Sequence, residues 1–171
     1  MIELMRELDV PVHEQGYQQY LTFELREENY GISIASVKEI IPYNNVITVP
    51  LMPDFVIGVL NLRGDVVPII DLSLRFGKAV TEIKPRSCIV ILEIDFNQEI
   101  LLLGFVVDVV KDVVDVYDEH IDPPPAFGAR IDSDFIYGIT NVAGELFILL
   151  RGDQALSIDE MIGLIKNVIE N

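Results

Sequence analysis

The side chains that could do chemistry in this sequence are few. The histidines, the side chain type whose unperturbed charge change falls near neutrality, are only His13 and His120. No cluster of Cys or His has the spacing of a metal site. No glycine-rich loop precedes Lys and Ser/Thr, and no Gly-x-Ser-x-Gly elbow occurs. Carboxylates abound, with 28 Asp and Glu among 171 residues, so a carboxylate pair for acid-base work stays open on the sequence alone. Most of them read as solvated faces and turns. Asp71, in Asp-Leu-Ser, comes nearest to an aspartic-protease turn but lacks the small Thr/Ser-Gly continuation. Cys88 is the only cysteine and opens the run CIVILEI; with no disulfide partner in the chain it reads as a small buried hydrophobe. These residues imply no metal and no cofactor.

Binding chemistry centres on Arg63. It is one of three basic residues between Arg26 and Lys78, the others being Lys38 and Arg75, and it lies on a turn beside apolar runs. There it either pairs with a nearby carboxylate, worth about 0 to 1 kcal/mol at a surface, or offers its planar fork to a partner. Arg63-Gly64-Asp65 and Arg151-Gly152-Asp153 spell the same tripeptide, which turn chemistry explains in the first copy.

The stretch GVLNLRGDVVPIIDL, 58–72, positions that arginine. Two Val- and Ile-rich runs flank Asn61 to Asp65, Gly64 supplies the φ > 0 that a tight connection needs, and the stretch reads as a β-hairpin ending near Pro68 and Asp71. The chain then repeats it. Gly138, Asn141 and Gly144 restate Gly58, Asn61 and Gly64 eighty residues on, and Gly104 with Val110 to Val114 restates Gly31 with Val37 to Ile41 at an offset of seventy-three. Two similar β modules in tandem follow, 17–80 and 86–156; two copies are too few for a solenoid, which leaves a pair of small barrels packed together. Chance likeness of two Val-rich hairpins is the alternative.

Length allows one domain, or two lobes sharing a core. A net charge of -16 argues against nucleic acid, whose binding rests on clustered Lys and Arg. The longest apolar run, Ile100 to Val107, is far short of a membrane span, and the acidic start MIELMRELDV is no signal peptide, so the expected location is cytoplasmic with no direct membrane insertion.

Along the chain, residues 1–16 form an acidic extension, either a frayed tail or a partner-docking helix. From Tyr17 the period is two, with a turn expected at Glu28 and Asn29 and a half-buried hairpin. SVKEII, 36–41, is too short to assign, and Asp54 is placed to cap a brief helical turn. The alternation through EILLLGFVVDVVKDVVDVYD is strong but slips in phase. The proline-rich loop 122–128 follows. SIDEMIGLIKNVIEN, 157–171, is the clearest helix: Ser157 and Glu160 fit a capping box, and Ile158, Met161, Ile162, Ile165, Val168 and Ile169 share the face expected to pack on the barrels.

With these residues in hand, the chain resembles the CheW family of chemotaxis coupling proteins. The likeness lies in GVLNLRGDVVPIIDLSLRFG at 58–77, YGISIASVKEII at 30–41, GFVVDVVKDVVDV at 104–116 and FIYGITNVAGELFILL at 135–150. It implies a mainly β fold of two SH3-like five-stranded barrels with a C-terminal helix. It also implies a non-enzymatic adaptor joining chemoreceptor cytoplasmic tips, at receptor arrays on the inner face of the membrane, to the regulatory domain of a CheA-type histidine kinase. The receptor-binding positions so implied are Val37, Glu39, Gly58, Asn61, Arg63 and Val110, with Glu39 and Arg63 approaching each other; the kinase-binding positions are Tyr43, Val46 and Ile47. The long acidic extension, and Arg151-Gly152-Asp153-Gln154 in place of a more Asp-rich lead into the helix, depart from the family pattern and leave the pathway open, a pilus or other non-flagellar system included. The rival reading from another class is a small-ligand-binding barrel or a carboxylate-dependent hydrolase using the cleft between the modules.

Overall fold

The structure is a computed structural model that describes residues 16–96, 98–124 and 136–151. All of the acidic extension but Gly16, and the C-terminal helix expected from the sequence, lie outside the described residues. Within them, strands dominate: β1 (Tyr17–Leu25), β2 (Glu28–Ser33), β3 (Val37–Pro42), β4 (Val56–Leu62), β5 (Asp65–Ile70), β6 (Cys88–Phe96), β7 (Glu99–Val107), β8 (Val109–Tyr117), β9 (Ile121–Asp122), β10 (Ile136–Val142) and β11 (Glu145–Leu150). They form a five-stranded sheet, ordered β3-β6-β7-β5-β4, and a six-stranded one, ordered β8-β1-β2-β11-β10-β9. The sixth strand is the two-residue β9; its counterpart in the first half is an isolated bridge between Ile47 and Val59.

The sequence repeat is present in the strand pattern, yet the sheets cross it. The first hairpin, β1-β2, pairs with β8 and β11 of the second half, and the equivalent hairpin β6-β7 pairs with β3 and β5 of the first. Each half therefore lends its opening hairpin to the other. Both loans end in a short parallel ladder, Ile69 and Ile70 against Gly104 and Phe105, and Ile148 to Leu150 against Tyr30 to Ile32. Pro68 is tolerated because β7 meets β5 only after it.

This exchange explains why the lent strands are apolar on both faces. Ile89 and Ile91 of β6, with Val106 of β7, fill the interior of the five-stranded barrel alongside Leu60, Leu62, Val67 and Ile69. The alternate residues Val90, Leu92, Leu103, Phe105 and Val107 join Leu21, Phe23, Leu25, Tyr30 and Ile32 of the other sheet in a core shared by both. Phe23 lies 5.3 Å from Phe105 and 5.7 Å from Tyr30 across that core. Tyr20, Val116 and Leu149 fill the second barrel. The first hairpin is thus buried on both faces through its middle, not half-buried.

Local chemistry accounts for the other departures from expectation. The β1-β2 turn falls at Arg26 and Glu27, both with positive φ, and Asn29 lies inside β2. No helix follows Asp54; the short helix α1 (Leu72–Arg75) is capped instead by Asp71, and its flanking Leu72 and Phe76 enter the shared core. The phase slip after Ile100 has two sources. Asp108 divides the run into β7 and β8, which belong to different sheets, and β8 carries a bulge opposite β1 between Leu21 and Phe23.

Two consequences are measurable. A Cβ at Gly58 would stand 2.1 Å from the Ile47 carbonyl oxygen, whereas at Gly31 it meets the flexible end of Leu149 at 2.9 Å. Gly58→Ala is expected to cost about 3 kcal/mol and Gly31→Ala about 1 kcal/mol or less in urea unfolding. Glu28 accepts from the Tyr30 hydroxyl and from Lys78, which ties β2 to the segment after α1. Burial raises its pKa, but the bonds from Lys78 and Tyr30 outweigh burial and leave it below the ordinary 4.5. A depressed carboxylate stabilises above its unfolded pKa, and that contribution disappears as pH falls below 4.5 and through the folded value. Glu28→Gln should therefore flatten the acid limb of a stability profile and leave its shape above pH 6 unchanged, to about one unit.

Candidate functional site

The β4-β5 hairpin is closed by a two-residue turn with Arg63 at φ 50° and Gly64 at φ 93°, the primed geometry that matches strand twist. Asn61 completes it, its Oδ1 accepting from the Gly64 N–H at 2.9 Å. The second copy is built alike, with Ala143 at 52°, Gly144 at 88° and Asn141 accepting from Gly144 at 3.0 Å. Asn61 is thus a turn-builder, and what the first turn alone presents is a guanidinium.

Arg63 crosses to β3. Its Nη2 bonds Glu39 Oε1, and its side chain stays 67% exposed. β3 and β4 are the two edges of the five-stranded sheet, so this ion pair spans the seam where the barrel closes without a backbone ladder. A bulge sets it up. Val37 opposes Leu92 and Glu39 opposes Ile91, leaving Lys38 as the extra residue. Because one added residue exchanges the faces of a strand, Val37 packs on the shared core while Glu39 and Ile41 turn to the barrel side. Val110 occupies the equivalent place in β8, opposite Phe23 and against the same core. Gly58 admits the Ile47 backbone, which exchanges 2.8 Å hydrogen bonds with Val59 in both directions.

The structure therefore brings Glu39, Arg63, Asn61 and Gly58 together around one seam and puts Val37 and Val110 at related positions on the shared core. Of the remaining candidates, Tyr43 and Val46 are half-buried against the five-stranded barrel and Ile47 is exposed. Burial raises the Tyr43 phenol above its ordinary pKa and keeps it a hydrogen-bond donor.

One pair went unread in the sequence. At the second seam Lys111 of β8 lies 3.9 Å from Glu145 of β11 and 3.6 Å from Glu24. The two seams thus carry ion pairs of opposite polarity: the acid stands on β3 in one, the base on β8 in the other. At the offsets of seventy-three and eighty, Lys111 and Glu145 correspond to Lys38 and Asp65, whereas Glu39 and Arg63 correspond to Asp112 and Ala143, so the repeat itself did not announce the pair.

Two of the groups weighed for catalysis have structural places. Asp71 is buried and accepts from Thr81 N at 2.8 Å, Thr81 Oγ1 at 2.7 Å and Leu74 N at 3.3 Å, fixing α1 and the loop beyond it. Cys88 is free and half-buried against the shared core. Among the described residues no group of His, Cys, Asp or Glu could hold a metal ion, and no helix is long and apolar enough to cross a membrane.

Two interlocked barrels that present a seam of bonded charge beside apolar strand ends define a class, the double-barrel interaction protein. The comparisons give the family. Residues 19–160 match the family model of the CheW-like domain. Chemotaxis protein CheW of Klebsiella aerogenes is 36% identical over 154 residues, 90% of this chain and 90% of that protein. Chemotaxis protein CheW of Treponema pallidum is 30% identical over 156 residues, 91% of each chain. The crystal structure of scaffolding protein TtCheW from Thermoanaerobacter tengcongensis matches with a TM-score of 0.69 and 33% identity, over 78% of this chain and 83% of that one. The chain belongs to the CheW family, and its role is that of a chemotaxis adaptor.

The exposure of Arg63 decides what its removal does to the fold. Arg63→Ala should lower unfolding stability by less than about 1 kcal/mol, the range of a surface pair, while Asn61→Ala, which strands the turn N–H, should cost about 1 kcal/mol. Urea titration of both variants separates the residue that builds the turn from the one the turn displays.

Proposed function

We propose that this chain joins the cytoplasmic tip of a chemoreceptor to the regulatory domain of a CheA-type histidine kinase, working by binding alone, in the cytoplasm at receptor arrays. Val37, Glu39, Gly58, Asn61, Arg63 and Val110 form the receptor side of this reading, and Tyr43, Val46 and Ile47 the kinase side. The observation that carries it is Arg63, held on a rigid turn, bonded to Glu39 and still mostly exposed. A pre-organised guanidinium loses little entropy on meeting a partner's carboxylate or carbonyl groups. Glu39 fixes its direction while the apolar surround supplies contact area.

In such an adaptor the coupling is energetic. A receptor conformation that binds the adaptor better when the kinase is active must favour the active kinase by the same factor. No step needs a covalent intermediate or a bound cofactor. The roles of Gly58 and Asn61 are architectural within this site, since one admits the Ile47 backbone and the other closes the turn.

The test is a pull-down of purified chain with the kinase regulatory domain and, separately, with a receptor cytoplasmic fragment from the same organism. Wild type is expected to retain both. Arg63→Ala should lose receptor binding at least about tenfold, the size of one charge-assisted contact, and keep the kinase; Ile47→Ser should do the reverse. Unaltered receptor binding by Arg63→Ala would remove Arg63 from the receptor side.

A further inference from the structure

Four of the chain's six tyrosines gather at one end of the six-stranded sheet, away from the Arg63 seam. Tyr17 and Tyr117 are register partners on β1 and β8 with ring centroids 5.4 Å apart. Tyr117 also meets His120 edge-on at 6.1 Å. Tyr20 lies below them in the barrel interior, where burial pushes its phenol well above the ordinary range; Tyr137 follows Ile136 of β10, whose partner Leu150 pairs with Ile32 and so joins the same end of the sheet. Tyr117 and Tyr137 remain 46% and 40% exposed, and His120 is more open still.

Acidic side chains crowd the β8-β9 side of these rings, while Arg151 follows Leu150 at the Tyr137 end. Residues 112–122 hold Asp112, Asp115, Asp118, Glu119 and Asp122 and no Lys or Arg. Asp115 accepts from Gln19, and Glu119 stands 3.7 Å from the His120 ring. Exposed phenols are stiff, amphipathic and rich in contact area, and their negative faces attract guanidinium and ammonium groups. Carboxylates at the rim strengthen that attraction and repel acidic partners. The turn from β8 to β9 holds the set in place, with the Asp118 N–H bonded to the Gly16 carbonyl at 3.0 Å and the Thr140 hydroxyl to the His120 carbonyl at 2.9 Å.

We propose that the face formed by Tyr17, Tyr117, His120 and Tyr137 with the rim acids Asp118 and Glu119 is a third interaction surface, which takes an arginine- or lysine-bearing segment of a partner protein through its aromatic faces. It lies on the six-stranded sheet, whereas Glu39, Arg63, Tyr43, Val46 and Ile47 belong to the five-stranded barrel; of the receptor side only Val110 shares its strand β8.

The experiment uses the full chain and a dodecapeptide of alternating arginine and leucine, with a citrulline-leucine peptide of the same length as control. The chain has no Trp, so its emission comes from six tyrosines, three of them on this face, and amide chemical shifts locate the contact. Binding is expected to quench emission, to shift Tyr17, Tyr117, His120 and Tyr137, and to be at least tenfold weaker for the citrulline peptide. Tyr117→Leu with Tyr137→Leu, which keeps apolar area and removes the π faces, should weaken binding about tenfold; Tyr117→Phe should retain it, which guards against loss of folding as the cause. Equal affinity for the citrulline peptide, unchanged binding by the double variant, or binding that emerges only after removal of residues 1–15 would each overturn the proposal, the last by showing the chain's own start to be the occupant.

Discussion

The molecule depends on strands that are buried on both faces. A hairpin such as β6-β7 has apolar side chains pointing both ways, and only a position between two cores satisfies both sets. The exchange of hairpins provides that position twice. Removing a single side chain such as Phe23 or Phe105 from the shared core would loosen both barrels at once, since each ring packs on the other across the divide. The interaction surfaces are set by this frame, because β3 and β8, which carry Glu39 and Lys111, hang on the outer sides of the lent hairpins.

Two copies of one design also have to be told apart. The turns at Asn61 to Gly64 and Asn141 to Gly144 have the same backbone and the same Asn-to-glycine bond. What differs is the side chain displayed, Arg63 in one and Ala143 in the other, and the polarity of the ion pair across each seam. A partner reading charge therefore meets one orientation of an approximately two-fold object, at an energetic cost to the fold of two exposed ion pairs that contribute little.

The sequence carried most of the local structure and little of its exchange. The spacing of Gly58, Asn61 and Gly64 announced both hairpins and their turns because each residue has a backbone reason to be there. The meeting of Glu39 with Arg63 followed from resemblance and is borne out by their bond. Which half supplies a strand was not legible, since an apolar hairpin satisfies its own copy or the other one equally well in pattern. The bulge at Lys38 was also silent: it places Val37 and Glu39 on different faces through register with Leu92 and Ile91, a property of the partner strand. The Arg26-Glu27 turn lacks Gly, Asn and Asp, so Asn29 drew the expectation two residues too far along the chain.

The lending of hairpins has a consequence for how this chain comes into being. β1 finds its longest partner in β8, with Tyr17 opposite Tyr117, so the first strand made must wait for about a hundred later residues before its outer ladder can form. During synthesis β1-β2 is a two-faced apolar hairpin with neither core yet present, a species prone to wrong pairing. Neither repeat can complete its barrel from its own strands. The two halves are therefore expected to arrive together in one cooperative step, and a stalled or truncated chain is left with two incomplete barrels in place of one finished domain.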